Sequence, residues 1–401
     1  MDDRPNGRAT YLAIVDMGML FLALSLTTWL VLKSRSRKGI FWLSLFSLGY
    51  FGFYREGCVC PIGSIQNVTQ AIFDPNYAAP LVVIVFFFLP LLYSAIFGRS
   101  YCASVCPHGA IQDAVLFKPI TVPPWIDHAL GMLPFVYLGL GVLFAATGSA
   151  YIICDYDPFI AIFRLTGSAN MLGLGAMFLL AGMFIGRPYC RYMCPYGVLL
   201  RMLSVVAKYN VKIYPDRCID CSLCDNSCPF NAIHKTTPEN QSIAPWKGKR
   251  ALIALIVTAP FLIAAMGWIV SLAGPTLARG NEVVRLAYQI EQEEIALKEG
   301  AQIDDITRPE NSEVWRDRFD DAPALFAQAQ EITDQFILGS WFLGFWIALV
   351  ILVKIYKLTI HRVRDQYVAD PGSCYSCGRC YDYCPGSNGE PVQFQTGDHL
   401  R

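Results

Sequence analysis

Long apolar segments dominate this sequence and limit what the chain can fold into. A helix needs about 20 residues to cross the roughly 30 Å hydrocarbon layer of a membrane. Only 16% of the 401 residues are charged, whereas soluble domains carry about 25%. This excludes a soluble enzyme and predicts a mainly α, polytopic helical membrane bundle of about seven spans. The segments are 11–32, 39–54 (short enough to be re-entrant), 80–97, 129–147, 170–186, 251–273 and 337–358.

The distribution of basic residues orients this bundle, because cytoplasmic loops carry an excess of Lys and Arg. If the N-terminus lies outside, 22 of the 32 basic residues fall on the inner side. The outer segment 276–335 has 14 acidic and 6 basic residues, a net charge of −8, and contains an amphipathic helix over 282–300. That segment is either a solvated cap or a docking surface for an external partner. The whole chain has no net charge, so bulk charge gives no case for a nucleic-acid partner.

Two cysteine runs have the C-x2-C-x2-C-x3-C-P spacing of bacterial ferredoxins. This spacing lets three thiolates bind one 4Fe-4S cluster, while the fourth cysteine binds the other cluster of a two-cluster ferredoxin. We therefore expect a small ferredoxin-like α+β module on the cytoplasmic side, with two 4Fe-4S clusters. One set is Cys218, Cys221, Cys224 and Cys384, and the other is Cys374, Cys377, Cys380 and Cys228.

Two alternatives to this crossed arrangement remain open. Each run could form an independent single-cluster lobe. Each run could also bind zinc through four cysteines, although zinc sites are usually built from two well-separated C-x2-C pairs.

Two further cysteine pairs lie in nearly repeated Gly-Arg-x-Tyr-Cys-x3-Cys-Pro-x-Gly motifs that begin at Gly98 and Gly186. The i, i+4 spacing puts both thiols of a pair on one side of a helical turn. We expect the two pairs to share one iron–sulfur cluster at the inner end of the bundle; free thiols are the alternative. The four cysteines are Cys102, Cys106, Cys190 and Cys194.

Three side chains beside these pairs have more than one interpretation. Arg99 and Arg187 would offset thiolate charge near the inner cluster, contact lipid headgroups, or act only as positive-inside anchors. His108 follows the first pair and is a ligand, a hydrogen-bond donor or an incidental interface residue.

A third cysteine group predicts an outer cluster. Cys58 and Cys60 follow one ascending span and Cys154 follows another, so the chain has two pseudo-symmetric hairpin units, which place a site at the repeat interface. Asp155, Asp157 or a partner residue would supply the missing ligand. A disulfide or structural thiols on an oxidising face are the alternative.

Motifs for substrate chemistry are missing from the sequence. There is no G-x-G-x-x-G, P-loop, catalytic triad or C-x2-C-H haem motif. The chain is therefore expected to be an electron-transfer subunit of an oxidoreductase system without substrate chemistry of its own. The alternatives are a copper reductase that assembles a respiratory enzyme and an iron–sulfur redox sensor.

The duplicated motif and the ferredoxin runs resemble the membrane polyferredoxins of the NosR/NapH type, with CcoG-like relatives, over residues 40–240 and the final ferredoxin run. The resemblance implies a multi-pass protein of the bacterial inner membrane, with cytoplasmic 4Fe-4S clusters held by the ferredoxin cysteines. The basic residues predict a periplasmic N-terminus and a cytoplasmic C-terminus, and the other cysteines predict one or two further iron–sulfur clusters in the membrane region.

Partners also follow from the resemblance. A cytoplasmic carrier or quinol would exchange electrons with a periplasmic reductase or maturation system. NosR-like proteins carry an outer flavin-binding domain before the spans, so a separate flavoprotein is an expected partner here.

The sequence divides into six parts. These are a membrane bundle (1–206), a first ferredoxin-like segment (207–247), a helix (248–274), the acidic outer segment (275–336), a last helix (337–358) and a second ferredoxin-like segment (359–401).

Overall fold

The computed structural model describes residues 10–57, 60–213, 218, 220–237, 245–298, 322–359, 364 and 367–384, and the chain is mainly helical throughout these ranges. The helices before the first ferredoxin run are α1 (Thr10–Trp29), α2 (Arg37–Ser47), α3 (Pro61–Phe73), α4 (Leu81–Phe97), α5 (Pro107–Val115), α6 (Pro124–Leu130), α7 (Leu133–Ala146), α8 (Ile152–Asp155), α9 (Pro158–Arg164), α10 (Ala169–Gly182), α11 (Pro188–Tyr192) and α12 (Pro195–Val205). Three π-helical turns lie among them, at Leu30–Ser34, Leu48–Tyr54 and Tyr101–Val105.

The second half of the described chain has fewer elements. They are α13 (Leu223–Asn226), β1 (Ile233–His234), α14 (Pro245–Ser271), α15 (Gly274–Ala278), α16 (Glu282–Lys298), α17 (Ala322–Thr359), β2 (Val368–Ala369) and α18 (Arg379–Asp382). β1 pairs antiparallel with β2, with Ile233 opposite Ala369. This pairing joins the two ferredoxin-like segments, which are far apart in the sequence.

Within the described ranges, four helical segments are long and apolar enough to cross a membrane: Tyr11–Ser34, Pro124–Ala146, Leu252–Ser271 and Pro323–Thr359. A fifth would combine α9 and α10, which are bent by 104° where they meet, and α4 is apolar but shorter. All seven predicted segments are helical, but the count of seven spans stays a prediction.

The last two long helices form a close pair. α17 has 38 residues and at 1.5 Å per residue is about 57 Å long, so it extends well beyond the predicted span 337–358. A Cβ atom at Gly344 would lie 2.4 Å from the carbonyl oxygen of Met266 in α14. Only glycine allows the two backbones to approach this closely, as is common in membrane helix pairs.

The amphipathic helix predicted over 282–300 is present as α16. Its apolar residues Val284, Ala287 and Ile290 pack in one buried cluster with Phe336 of α17 and Phe144 of α7. The acidic segment is therefore anchored to the bundle through α16. Residues 299–321 of that segment lie outside the described residues.

The main core lies among the shorter helices, where the cysteine motifs are. Leu20, Phe51, Phe86, Phe159 and Leu200 are all almost completely buried in one apolar cluster, and the thiols of the duplicated motif pack against it. The fold thus places the four thiols of the duplicated motif inside the bundle and not on its surface.

Candidate metal centre

Four short helices begin with a proline that follows a cysteine or an aspartate. Cys60, Cys106, Cys194 and Asp157 are the extended N-cap residues of α3, α5, α12 and α9, and proline is the first helical residue in each case. Proline suits this position because its fixed φ matches the helix and its missing N–H is not needed there. The Cys-Pro steps of the sequence are therefore helix starts.

Backbone amides of these helix starts point at the side chains before the prolines. The amide of Gly197 donates to Sγ of Cys194 at 3.3 Å, and the amide of Phe159 donates to the carboxylate of Asp157 at 2.9 Å. Unpaired amides and the helix dipole make such a helix N-terminus favourable for negative charge. The same arrangement stabilises thiolates, the form of cysteine that binds metals.

The two motif units share their backbone geometry. The amide of Cys106 donates to the carbonyl of Tyr101 at 3.1 Å, and that of Cys194 donates to the carbonyl of Tyr189 at 2.9 Å. Tyr101 and Tyr189 occupy equivalent places in the two motifs. The sequence repeat is therefore a structural repeat.

The four cysteines of the duplicated motif line one small cavity. Among the described residues, no group of three or more His, Cys, Asp or Glu side chains is close enough to hold a single metal ion. The thiols surround a volume and do not converge on a point. Four thiolates around one cavity form a donor set that matches the ligation of an iron–sulfur cluster.

Both arginines of the motif line this cavity as well. Arg99 is 4% exposed and Arg187 is 1% exposed, so neither guanidinium group lies at lipid headgroups. Arg187 forms a 2.7 Å ion pair with Asp113 and also donates to the carbonyl of Cys102. Burial alone would raise the pKa of Asp113, but Arg187 holds it below its ordinary value.

Each arginine packs against the glycine of the other unit. A Cβ atom at Gly109 would lie 3.1 Å from the guanidinium of Arg187, and one at Gly197 would lie 3.4 Å from that of Arg99. These contacts explain why the motif combines an arginine at its start with a glycine at its end. They also lock the two units together around the shared cavity.

His108 is fully buried and has a charged partner. Its Nε2 lies 2.9 Å from the carboxylate of Asp157, and its ring stacks on Tyr189 with 5.7 Å between centroids. His108 therefore links the first inner motif to the element that follows Cys154. Asp157, a candidate for the missing ligand of the outer cluster, is engaged by this histidine.

The outer cysteines are only partly described, since Cys58 lies outside the described residues. Sγ of Cys154 lies 2.8 Å from the position of a Cβ atom on Gly63, and Gly63 follows Cys60 at the start of α3. Cys60 and Cys154 thus flank the same glycine. Asp155 is exposed.

The described ferredoxin cysteines of the two runs pack close to one another, and Cys228 and Cys380 lie in one cluster with Cys224. Cys228 packs with Cys374 and Cys377 around the same buried residues. Burial, together with the nearby thiols of Cys221, Cys384 and Cys218, raises the pKa of Cys224 to about 11. These contacts bring cysteines of the two runs together, and the crossed ligand sets stay a prediction. Cys218 and Cys221 are exposed to solvent.

Sequence reasoning missed three residues at the site. Asp113 follows Cys106 by seven residues, two helical turns, and so lies on the same face of α5. Phe230 and Tyr375 come just after ferredoxin cysteines and pack against Cys102 and Cys190. Periodicity would have indicated Asp113, whereas nothing in the sequence pattern indicates the other two contacts.

Comparison with known proteins agrees with this donor set. Residues 79–121 and 167–213, which contain the duplicated motif, match one model of a 4Fe-4S binding domain. Residues 211–234, which contain the first ferredoxin run, match a second model of a 4Fe-4S binding domain. The chain is therefore an iron–sulfur protein.

Relatives occur in bacteria and archaea. YccM of Escherichia coli, named for electron transport, is 26% identical over 42% of this chain and 52% of its own length. An uncharacterized protein of Methanocaldococcus jannaschii is 30% identical over 45% of this chain and 77% of its own length. The regulatory protein NosR of Pseudomonas aeruginosa is 25% identical over 54% of this chain.

The match covers about half of YccM and 32% of NosR. No solved structure matches the chain. The relatives, the 4Fe-4S domain matches and the apolar helices agree on one family assignment. The chain belongs to the NosR/NapH-type family of 4Fe-4S membrane proteins.

Proposed function

We propose that this protein carries electrons across the membrane, between a cytoplasmic carrier or quinol and a periplasmic redox partner. The observation that carries the proposal is the buried cavity lined by Cys102, Cys106, Cys190 and Cys194, which lies next to the ferredoxin cysteines. A single layer of clusters on one face could not serve both sides of a roughly 30 Å barrier. Redox sites at more than one depth of the bundle meet that need.

The proposal assigns the cysteines to separate cluster ligand sets. The cavity cysteines would hold one cluster in the bundle. Two 4Fe-4S clusters would be held by the crossed ferredoxin sets, one with Cys384 beside Cys224 and one with Cys228 beside Cys374. Cys58, Cys60 and Cys154 would contribute to a further outer cluster. Such clusters supply one-electron redox chemistry.

The protein groups around the bundle cavity stabilise negative charge there. Helix N-termini and buried guanidinium groups surround the cavity, so thiolate charge is compensated inside a region of low dielectric constant. An uncompensated buried charge would be expensive there. The surrounding apolar residues keep water away from the site.

Charge and topology support the proposed positions of the partners. The ferredoxin-like segments would face the cytoplasm, in accordance with the basic inner segments of the sequence. The acidic segment anchored by α16 would receive the periplasmic partner, for which a flavoprotein is one candidate. The relative YccM, named for electron transport, supports this type of function.

Transfer across a sealed membrane tests the function. The purified protein is placed in liposomes that contain trapped ferricyanide, and dithionite is added outside. We expect loss of ferricyanide absorbance, which protein-free liposomes do not show and which Cys190→Ser abolishes. Equal rates with wild-type protein and with Cys190→Ser would contradict transmembrane transfer. If copper(II) ions trapped in place of ferricyanide are reduced while trapped ferricyanide is not, the protein is the assembly factor of the alternative hypothesis.

A further inference from the structure

Two aromatic side chains fill the space between the ferredoxin cysteines and the bundle cavity. Phe230 and Tyr375 are each 5% exposed, and their ring centroids are 4.6 Å apart. Both rings belong to one buried cluster, which packs against cysteines of the bundle cavity and cysteines of the ferredoxin runs. These partners are Cys102 and Cys190 of the cavity, and Cys228, Cys374 and Cys377 of the ferredoxin runs.

The bundle holds the tyrosine ring in place from the cavity side. Oη of Tyr375 donates to the carbonyl oxygen of Cys190 at 3.1 Å. The guanidinium carbon of Arg99 lies 4.1 Å from the ring centroid, which is a cation–π contact. Arg99 also donates to the carbonyl of Gly372 at 3.2 Å. The loop that carries Tyr375 is thus fixed against one wall of the cavity.

The aromatic pair belongs to only one of the two crossed ferredoxin sets. Tyr375 directly follows Cys374, and Phe230 follows Cys228 and a proline. In the other set the equivalent positions are Ile219 and Gly386, neither of which is aromatic. That other set contains the exposed cysteines Cys218 and Cys221. One ferredoxin set therefore faces the bundle and the other reaches solvent.

We propose that Phe230 and Tyr375 form the electron-transfer contact between the ferredoxin module and the bundle site. The sites then have a fixed order: the solvent-facing set with Cys218, the bundle-facing set with Cys374, and the cavity with Cys190. With clusters bound, each transfer would oxidise one cluster by one electron and reduce its neighbour by one, with no bond formed or broken. A soluble carrier exchanges electrons at the Cys218 end. This inference rests on the proposed function.

The test uses variants that remove the aromatic rings but keep a branched apolar side chain at each position. Freeze-quench EPR after rapid photoreduction is recorded for the double variant Phe230→Leu/Tyr375→Leu. The spectra follow the signals of the ferredoxin clusters and the signal of the bundle site, which is the one that Cys190→Ser removes. We expect electron equilibration between them to slow by about tenfold or more. Iron content, midpoint potentials and the magnetic coupling between neighbouring clusters should stay as in wild type. The single variant Tyr375→Phe keeps the ring and should therefore show the wild-type rate of electron equilibration.

The matched control is Tyr383→Leu. Tyr383 is also adjacent to a ferredoxin cysteine but is 58% exposed, so its removal should leave the rate unchanged. An unchanged rate in the double variant would overturn the proposed contact. A slower rate together with lost magnetic coupling would also overturn it, because the rings would then only dock the module. Absence of a Cys190-dependent signal in wild type would instead refute the proposed function, before any ring variant is examined.

Discussion

The carboxylate of Asp113 lies 2.7 Å from the guanidinium of Arg187, and both side chains are buried beside the cysteine cavity. The residue at the equivalent place in the second unit, seven positions after Cys194, is Arg201. Arg99, the counterpart of Arg187, has no carboxylate contact among the described residues and bonds instead to Gly372, Cys102 and the ring of Tyr375. The repeat thus conserves backbone geometry but not charge.

Loss of Arg187 should be costly. Arg187→Gln leaves the buried carboxylate of Asp113 without a counter-charge, and breaking a buried ion pair in this way costs about 3–5 kcal/mol. We expect a clearly lower thermal unfolding midpoint in detergent. The double variant Arg187→Gln/Asp113→Asn removes both charges and should recover part of the loss. Wild-type stability of Arg187→Gln would show that the pair is not important for folding.

Arg99 should raise the reduction potential of a cluster in the bundle cavity. Its positive charge favours the reduced, more negative state of a neighbouring iron–sulfur cluster, whose potential depends on nearby charge. Arg99→Gln should therefore lower the midpoint potential of the Cys190-dependent EPR signal, by about 60 mV for a tenfold change in a one-electron equilibrium. Arg164→Gln, which removes an exposed arginine, should leave that potential unchanged. A higher potential in Arg99→Gln would contradict the assignment.

The ion pair of His108 and Asp157 should stabilise the junction of the two units. Asp157→Asn keeps a good N-cap for α9 but removes the charge that pairs with His108. We expect a loss of about 1.5–3 kcal/mol, the usual range for a hydrogen bond to a charged group. Thermal unfolding of Asp157→Asn and of Asp155→Asn, its exposed neighbour, measures the difference. Equal midpoints for the two variants would rule out a stabilising pair.

Any side chain at Gly344 should destabilise the close crossing of α14 and α17. Gly344→Ala places a methyl group against the backbone of Met266 and Gly267, and overpacking of this kind costs about 1–3 kcal/mol. The control is Gly173→Ala in α10, where a Cβ atom meets nothing within 4 Å. Gly344→Ala should unfold at a lower temperature than the control. If both behave alike, the two helices are not packed as described.

Much of the architecture follows from the sequence. The apolar segments are helical, the amphipathic segment is α16, and the duplicated motif brings Cys102, Cys106, Cys190 and Cys194 to one cavity. Local spacing determines these features, because thiols four residues apart share one side of a helical turn. The Cys-Pro steps also indicate helix starts, since proline favours the first helical position.

Other features depend on contacts between distant segments, which spacing does not encode. The pairing of His108 with Asp157 joins two motif units, and that of Tyr375 with the carbonyl of Cys190 joins the last ferredoxin run to the bundle. The burial of Arg99 and Arg187 could not be predicted from spacing either. An arginine at the end of an apolar segment usually marks the inner membrane surface. Here the glycine of the opposite unit makes room for each guanidinium group.

The most direct test of this account measures iron, acid-labile sulfide and EPR spectra on anaerobically purified protein, for wild type and Cys190→Ser. Three 4Fe-4S clusters, two in the ferredoxin module and one in the bundle cavity, predict at least about 12 iron ions per chain in wild type. Cys190→Ser should lose about four of them and one EPR signal, while the ferredoxin signals persist. Protein that contains zinc in place of iron, or a Cys190→Ser variant with the wild-type iron content and spectrum, would contradict the shared cluster in the bundle.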